Sequence, residues 1–245
     1  MGLYVYAVGR SGEGETPPLT GVFGQPAYRL EVGPLCAVVS ECPVSAVRAE
    51  RRHIAATQGV LAALSARFDT LPMAFGTITK SEADLGQFLD DHQETLTAQL
   101  RRVSGAIEMS LRLNLEAADP IAYLVERTPA LRAARERVFH GRRPPSHDDK
   151  IRLGQMFDDA LQRYRDAHTA QVVADVEASC AEVVALPVRA EREIANLAAL
   201  VSRSGVEEFE AAVQLSAAQT DEDIAFAIGG PWPPHNFVQF DPRER

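Results

Sequence analysis

Histidine and cysteine are the residues best suited to nucleophilic or metal chemistry, and here their spacing sets up neither. His53, His92, His140, His147, His168 and His235 are scattered, and none stands at a recognised distance from a serine or cysteine. A general base needs its partner within hydrogen-bond reach, which only folding could arrange here. His92 falls in an apolar helical stripe and reads as a core residue. Cys36, Cys42 and Cys180 form no CxxC pair, and their number is odd. They read as reduced, unreactive thiols of a reducing compartment. The densest polar cluster is Ser146-His147-Asp148-Asp149. A hard cation would need several oxygens converging from separated positions. A helix N-cap with acids in its first turn accounts for the same four residues more simply. "GRSGEG" (Gly9–Gly14) has glycines after a strand, but it is spaced GxxGxG and is followed by "ETPPLTG". A phosphate cradle needs a helix N-terminus behind it. No GxSxG, HExxH or P-loop occurs, so the expectation is a chain with no catalytic residues, cofactor or metal.

Composition narrows the partners. The chain has 245 residues, of which 46% are apolar and 24% charged, with a net charge of −9. That length accommodates two domains with real cores. Both halves are acidic, so neither offers the basic face that phosphates require, and no nucleic acid is expected. No apolar run approaches the ~18 residues that span a bilayer, so no membrane is expected either. The opening "MGLYVYAVGR" reads as a strand and lacks the features of a signal peptide. The expected location is therefore the cytoplasm.

Periodicity supplies the elements. "LYVYAV" (Leu3–Val8) is a central strand; "AYRLEV" and "LCAVVS" flank Gly33-Pro34 as a hairpin. A helix is expected from Val44 to Phe68, then a strand over Thr70–Ile78, then one helix from Ser81 through Val103. "AIEMSLRLNL" alternates cleanly. It predicts Ile107, Met109, Leu111, Leu113 and Leu115 inward, with Glu108, Ser110, Arg112 and Asn114 toward solvent. Asp119-Pro120 and Thr128-Pro129 each open a helix, and Gly141 with "RRPP" stops the second. A long helix follows Ser146 to about Glu182. "EVVALPV" and "EIANLAALVS" are strands, "GVEEFEAAVQLSAA" a helix, and "DIAFAIGG" a last strand.

The order from Ile107 is β, α, β, β, α, β, that of a ferredoxin-like split β-α-β unit. The first half gives the same plan with its first helix missing. The expected class is α+β, two domains, each a (modified) ferredoxin-like sandwich on an antiparallel sheet. Residues 1–104 form the first domain with a trailing helix. Residues 105–245 form the second, with a helical insertion and a Pro/Trp-rich C-terminal tail. The same order occurs in RNA-binding domains, but "EIANLAALVS" carries no aromatic to stack a base and begins with Glu193.

The tail "GGPWPPHNF" (Gly229–Phe237) holds three of the 15 prolines and the one tryptophan. Proline lacks an N–H, so ladder pairing is expected to stop at Pro231. Two readings of Trp232 stay open. It plugs the base of the core, or it stands on a stiff rod as an aromatic patch for a partner.

"GPWPPHNF", "LPMAFGTI" and "LYVYAV", in that arrangement along the chain, resemble the gas vesicle protein GvpF/GvpL family. "GAIEMSLRL" is similar to that family's alternating strand, with Gly105 and Glu108 ahead of it. Ala74 departs from the pattern, which often has a basic residue just before the Phe-Gly pair. The resemblance implies a non-enzymatic accessory protein of vesicle assembly in the cytoplasm, associated with gas vesicles. Its partners would be the very hydrophobic shell protein and other accessory proteins. Trp232, Pro233 and Phe237, then Phe75 and Gly76, are the expected partner-binding residues. A small-molecule-binding or enzymatic ferredoxin-like protein and a component lodged in the vesicle wall are the competing readings.

Overall fold

The structure is a computed structural model, described here for residues 2–12, 17–43, 45–140 and 144–239. Gly14, Val44, Gly141 and the arginines of "RRPP", which entered the sequence expectations, lie outside the described residues. The chain divides into two compact units. One comprises Met1–Met109, Leu200–Arg203 and Gly230–Arg245; the other comprises Ser110–Ala199 and Ser204–Gly229.

The first unit is built on β1 (Gly2–Arg10), whose interior residues are all buried. The sheet adds β2 (Leu19–Thr20), β3 (Pro26–Val32), β4 (Leu35–Cys42), β5 (Thr70–Pro72) and β6 (Ile78–Thr79). Its order is β2-β3-β4-β1-β5, with β6 also pairing β1, and each pairing is antiparallel. Leaving out the short β2, this is the order of a split β-α-β sheet without its first helix.

Both faces of β1 are covered. Tyr4 and Tyr6 pack with Val60, Leu61 and Leu64 of α1 (Arg51–Ser65). Leu85 and Leu89 of α2 (Glu82–Asp91) and Leu96 and Leu100 of α3 (Gln93–Arg102) are buried too; α2 packs on β3 and β6, α3 on β1 and β5. A strand covered on both sides reads as a continuous apolar run, which is why "LYVYAV" does not alternate.

Buried hydroxyls then dictate local detail. The Tyr6 hydroxyl lies 2.7 Å from Ser40 Oγ and accepts the Val22 N–H at 2.7 Å. Burial nevertheless dominates and raises its pKa. A Cβ on Gly21 would stand 2.0 Å from that hydroxyl, so no larger residue fits there.

Several elements differ from their sequence expectation. The first helix begins at Arg51, with Glu50 at its N-cap, and ends at Ser65. The expected strand over Thr70–Ile78 is two short strands, because residues 73–77 loop out between them, with Gly76 at φ +85°. The expected helix from Ser81 to Val103 is two helices that break at His92 (φ −113°, ψ 13°). Its Nδ1 is 2.9 Å from the Phe88 carbonyl, and its ring lies against Phe88. Ser81 caps α2 as a serine should, accepting the Asp84 N–H at 3.1 Å.

The other sheet has four strands, β7 (Ala106–Leu115), β8 (Glu182–Ala185), β9 (Glu193–Ser202) and β10 (Ile224–Trp232), ordered β10-β7-β9-β8. This is the split β-α-β order in full. β10 continues through Pro231, where pairing was expected to stop. It is an edge strand, and there a missing N–H can face away from the ladder.

Helices α4 (Pro120–Arg127), α5 (Pro129–Phe139) and α6 (His147–Val176) form the insertion between β7 and β8. Asp119 Oδ1 accepts the Ala122 N–H at 2.9 Å, capping α4. Ser146 and Asp149 form a reciprocal capping box at the start of α6, the role favoured over a metal site for that cluster. Leu124, Val125, Leu131 and Ala160 make the core of the insertion. α6 stops at Val176 and gives way to a 3₁₀ turn over Glu177–Ser179, so it is shorter than expected. On α7 (Val206–Ala218), Phe209 and Val213 are buried, and the Ser216 hydroxyl donates to Asp175 Oδ2 at 2.6 Å. No helix among the described residues is long and apolar enough to cross a membrane.

One carboxylate ties together distant parts of the first unit. Asp69 accepts from Ser104 Oγ at 2.7 Å, the Gly105 N–H at 2.9 Å and an Arg203 guanidinium nitrogen at 2.8 Å. Arg203 also donates to the Ser65 and Phe68 carbonyls at 3.2 and 2.9 Å. Burial alone would raise the Asp69 pKa, but the bonds from Ser104, Arg203 and Gly105 outweigh it and hold it below the usual carboxylate value. A depressed folded-state pKa gives stability that is present above the unfolded value and lost as acid protonates the group. Asp69→Asn should therefore destabilise the protein by about 2 kcal/mol at neutral pH. Urea unfolding at a series of pH values checks this: the gap between wild type and variant should persist to about pH 5 and close below about pH 4.

Candidate functional site

The loop at residues 73–77 is held by the strand it leaves. Met73 N–H donates to the Tyr6 carbonyl at 2.8 Å, and Val5 N–H donates to the Thr77 carbonyl at 2.9 Å. At its tip, the Gly76 N–H donates to the Tyr4 hydroxyl at 3.0 Å, and that hydroxyl is 3.1 Å from Thr57 Oγ1 on α1. The Phe75 ring stands edge-on to Tyr4, with centroids 6.2 Å apart, and Phe75 remains 37% exposed. Only a residue at ease with positive φ can occupy the Gly76 position, which puts its N–H under the phenol.

The C-terminal tail is fixed by a buried acid. Glu108 lies inside, contrary to the outward position that simple alternation gives it. Its carboxylate accepts the Asn236 N–H at 2.8 Å and the Asn236 side-chain amide at 2.7 Å. Desolvation raises the Glu108 pKa, opposed by the two bonds from Asn236. Arg102 donates to the Phe237 carbonyl at 3.1 Å, and the Gln239 N–H donates to Gln99 Oε1 at 3.1 Å. Phe237 itself is 0% exposed.

Loop and tail border one open groove of about 560 Å³. Its walls are mainly apolar, including Met73, Ile78, Leu85, Phe88, Leu96 and Val238, and Asp84 and His235 are its titratable lining residues. His235 lines this apolar surface, and desolvation lowers its pKa, although the residue as a whole is exposed. A concave, largely apolar surface with few polar groups suits the burial of another molecule's apolar side chains.

The five residues expected at a partner surface separate by exposure. Trp232 is 45% exposed at the end of edge strand β10, so it does not plug the core; Phe237 does. Pro233 is buried. Phe237 cannot offer its ring to a partner, because the ring is enclosed. Phe75 and Gly76 lie on the loop whose flanking residues Met73, Ala74 and Thr77 line the groove. Neither His53 nor His92 lines the groove: His53 Nδ1 is 3.1 Å from the Arg48 carbonyl with its ring against Phe23. Sequence reasoning missed Tyr4, Glu108, Asn236, Phe88 and His235 as parts of the site. The one advance signal was Glu108, which the family resemblance singled out with Gly105 although alternation assigned it to solvent.

The family model described as gas vesicle synthesis protein GvpL/GvpF matches residues 2–239. Gas vesicle protein F of Streptomyces sp. (strain CB03234) is 28% identical, covering 98% of this chain and 100% of its own length. Gas vesicle protein L1 of Halobacterium salinarum is 25% identical, covering 97% of this chain and 90% of its own. Among solved structures, GvpF from Anabaena sp. PCC7120 gives a TM-score of 0.85 at 22% identity, covering 98% of this chain and 99% of that one. GvpF from Microcystis aeruginosa gives 0.80 at 20% identity, with the same coverage.

If the tail is held as described, Glu108→Ala should release residues 235–239 while leaving β1 intact. The expected stability loss is about 1–3 kcal/mol, because Asn236 can rehydrate. Phe237→Ala should cost more, about 3–5 kcal/mol. Hydrogen exchange of the tail together with thermal unfolding separates the two effects.

Proposed function

The chain belongs to the gas vesicle synthesis protein GvpL/GvpF family, and on that footing we propose that it works as an assembly factor that covers apolar surface of the vesicle shell subunit. Family membership supports a role in gas vesicle formation. The finer reading rests on one observation: the loop carrying Phe75 and Gly76 and the tail carrying His235 and Val238 border a single apolar groove. An apolar subunit awaiting polymerisation exposes surface and strand edges that invite aggregation. Covering such surface stabilises a complex by roughly 25 cal/mol per Å² of apolar area before the cost of association is counted. The partner set includes the shell protein and other accessory proteins, the setting is the cytoplasm at the vesicle, and no bond is made or broken. Trp232, at the exposed end of β10, adds an aromatic anchor of the kind enriched at binding hot spots.

The groove volume also falls within the range that encloses small ligands, which favours a small-molecule-binding role as the second reading. Native mass spectrometry of the purified protein, with and without shell subunit, distinguishes a bound metabolite from a bound chain.

Co-expression with the gas vesicle shell subunit followed by pull-down tests the main reading. Phe88→Glu and Met73→Asp place charge in the groove and should reduce recovery of the subunit by about tenfold or more; Trp232→Ala should weaken it without lowering the melting temperature. Full recovery by groove variants that melt like wild type would sink the proposal.

A further inference from the structure

A second concave surface lies in the helical insertion, in the other unit. Between α5 and α6 is a cleft of about 290 Å³. Ala134 and Val138 on α5 and Leu153 and Met156 on α6 give it apolar walls. Arg137 and Arg152 stand in the same lining, one from each helix, and both are exposed. Neither guanidinium makes an ion pair or hydrogen bond among the described residues. Asp149, the acid in the lining, is committed to the capping box of Ser146. The cleft thus presents two unspent positive charges over an apolar surface, on a chain whose net charge is −9. Phe139 and Ile151 on the same two helices are exposed large apolar residues.

We propose that this cleft binds an acidic amphipathic helix of a protein partner, with the partner's apolar ridge between α5 and α6 and its carboxylates on Arg137 and Arg152. Three features select that occupant. The lining residues recur at helical spacing, Ala134, Arg137 and Val138 on one side and Asp149, Arg152, Leu153 and Met156 on the other. Two such ridges leave a furrow that a third helix fills by ridge-in-groove packing. Among the described residues no strand lines the cleft, so an extended peptide would leave its backbone unpaired. Arginine forks match carboxylates in pairs, which makes acid the complement and disfavours a basic or neutral helix. The surface is separate from the groove described above, so the proposal stands or falls independently of shell-subunit binding.

Fluorescence anisotropy of the full chain with synthetic ~18-residue helical peptides tests it. One peptide carries leucine at i, i+3, i+4 and i+7 with flanking glutamates; a second replaces glutamate by lysine; a third replaces leucine by serine. The acidic leucine peptide should bind, and its affinity should fall as salt rises from ~50 to ~300 mM. The other two peptides should bind at least about tenfold more weakly. Arg137→Glu with Arg152→Glu, both on exposed positions, should weaken the acidic peptide by about tenfold and shift preference to the lysine peptide, with unchanged melting temperature. No binding at about 100 μM, equal affinity for acidic and basic peptides, or insensitivity to the double variant overturns the proposal. So does equal binding of the serine peptide with displacement by ~1 mM inorganic phosphate, which would mark a simple anion site. Shell-subunit recovery by the double variant, measured alongside, should match wild type.

Discussion

A hydroxyl group buried beneath a helix must find a partner, and much of the first unit follows from meeting that demand twice. Tyr4 and Tyr6 both lie beneath α1 on a strand covered on each face. Removing a phenol hydroxyl from water without a hydrogen bond costs about 1–3 kcal/mol by mutational measures, comparable to the gain from burying an aliphatic side chain. Tyr6 is satisfied by Ser40 and the Val22 N–H, and that bond brings Gly21 so close that no side chain fits. Tyr4 is satisfied by Thr57 and the Gly76 N–H. The second bond holds the tip of the loop at residues 73–77 in place. It adds the tip to the two backbone bonds that already tie Met73 and Thr77 to β1.

The groove is a consequence of that loop and of a tail held by a different device. Glu108 is a buried carboxylate whose pKa burial raises, with Asn236 as its hydrogen-bond partner. Such an arrangement specifies position more than it adds stability, because desolvation opposes the two bonds. Phe237 supplies the apolar anchor, so the clamp does not act alone. An aromatic plug and a bidentate amide clamp on adjacent residues fix both depth and rotation of a short segment. His235 and Val238 then reach the groove from a tail that has little regular structure of its own.

The insertion follows simpler rules. Each of its helices opens on a proline or a capping residue, and α6 carries a reciprocal cap. Its interior polar contacts are local and paired: the Tyr123 and Tyr164 hydroxyls are 3.0 Å apart, and the Arg127 guanidinium lies over the Tyr123 ring. Arg137 and Arg152 make no ion pair or hydrogen bond among the described residues, and both line the apolar cleft.

Element types were largely legible in the sequence, because period and capping are local properties. "AIEMSLRLNL" announced a strand, Asp119-Pro120 and Ser146 announced helix starts, and the strand order followed from the alternation of elements. The breaks were less legible. His92 interrupts a stripe that reads as one helix, and Gly76 turns one apparent strand into two. The resemblance of the tail and loop motifs identified the family, but the exposure of Trp232 and the enclosure of Phe237 could not be told apart from spacing, since both are large aromatics in a proline-rich segment. By itself, then, the sequence determined which segments are helix or strand and where they start, through hydrophobic period and backbone chemistry within a few residues. Only the tertiary structure decided which polar groups are buried and with whom they pair. Tyr4 meets Gly76 across 72 residues and Asn236 meets Glu108 across 128, and no local pattern encodes a hydrogen bond made at that separation.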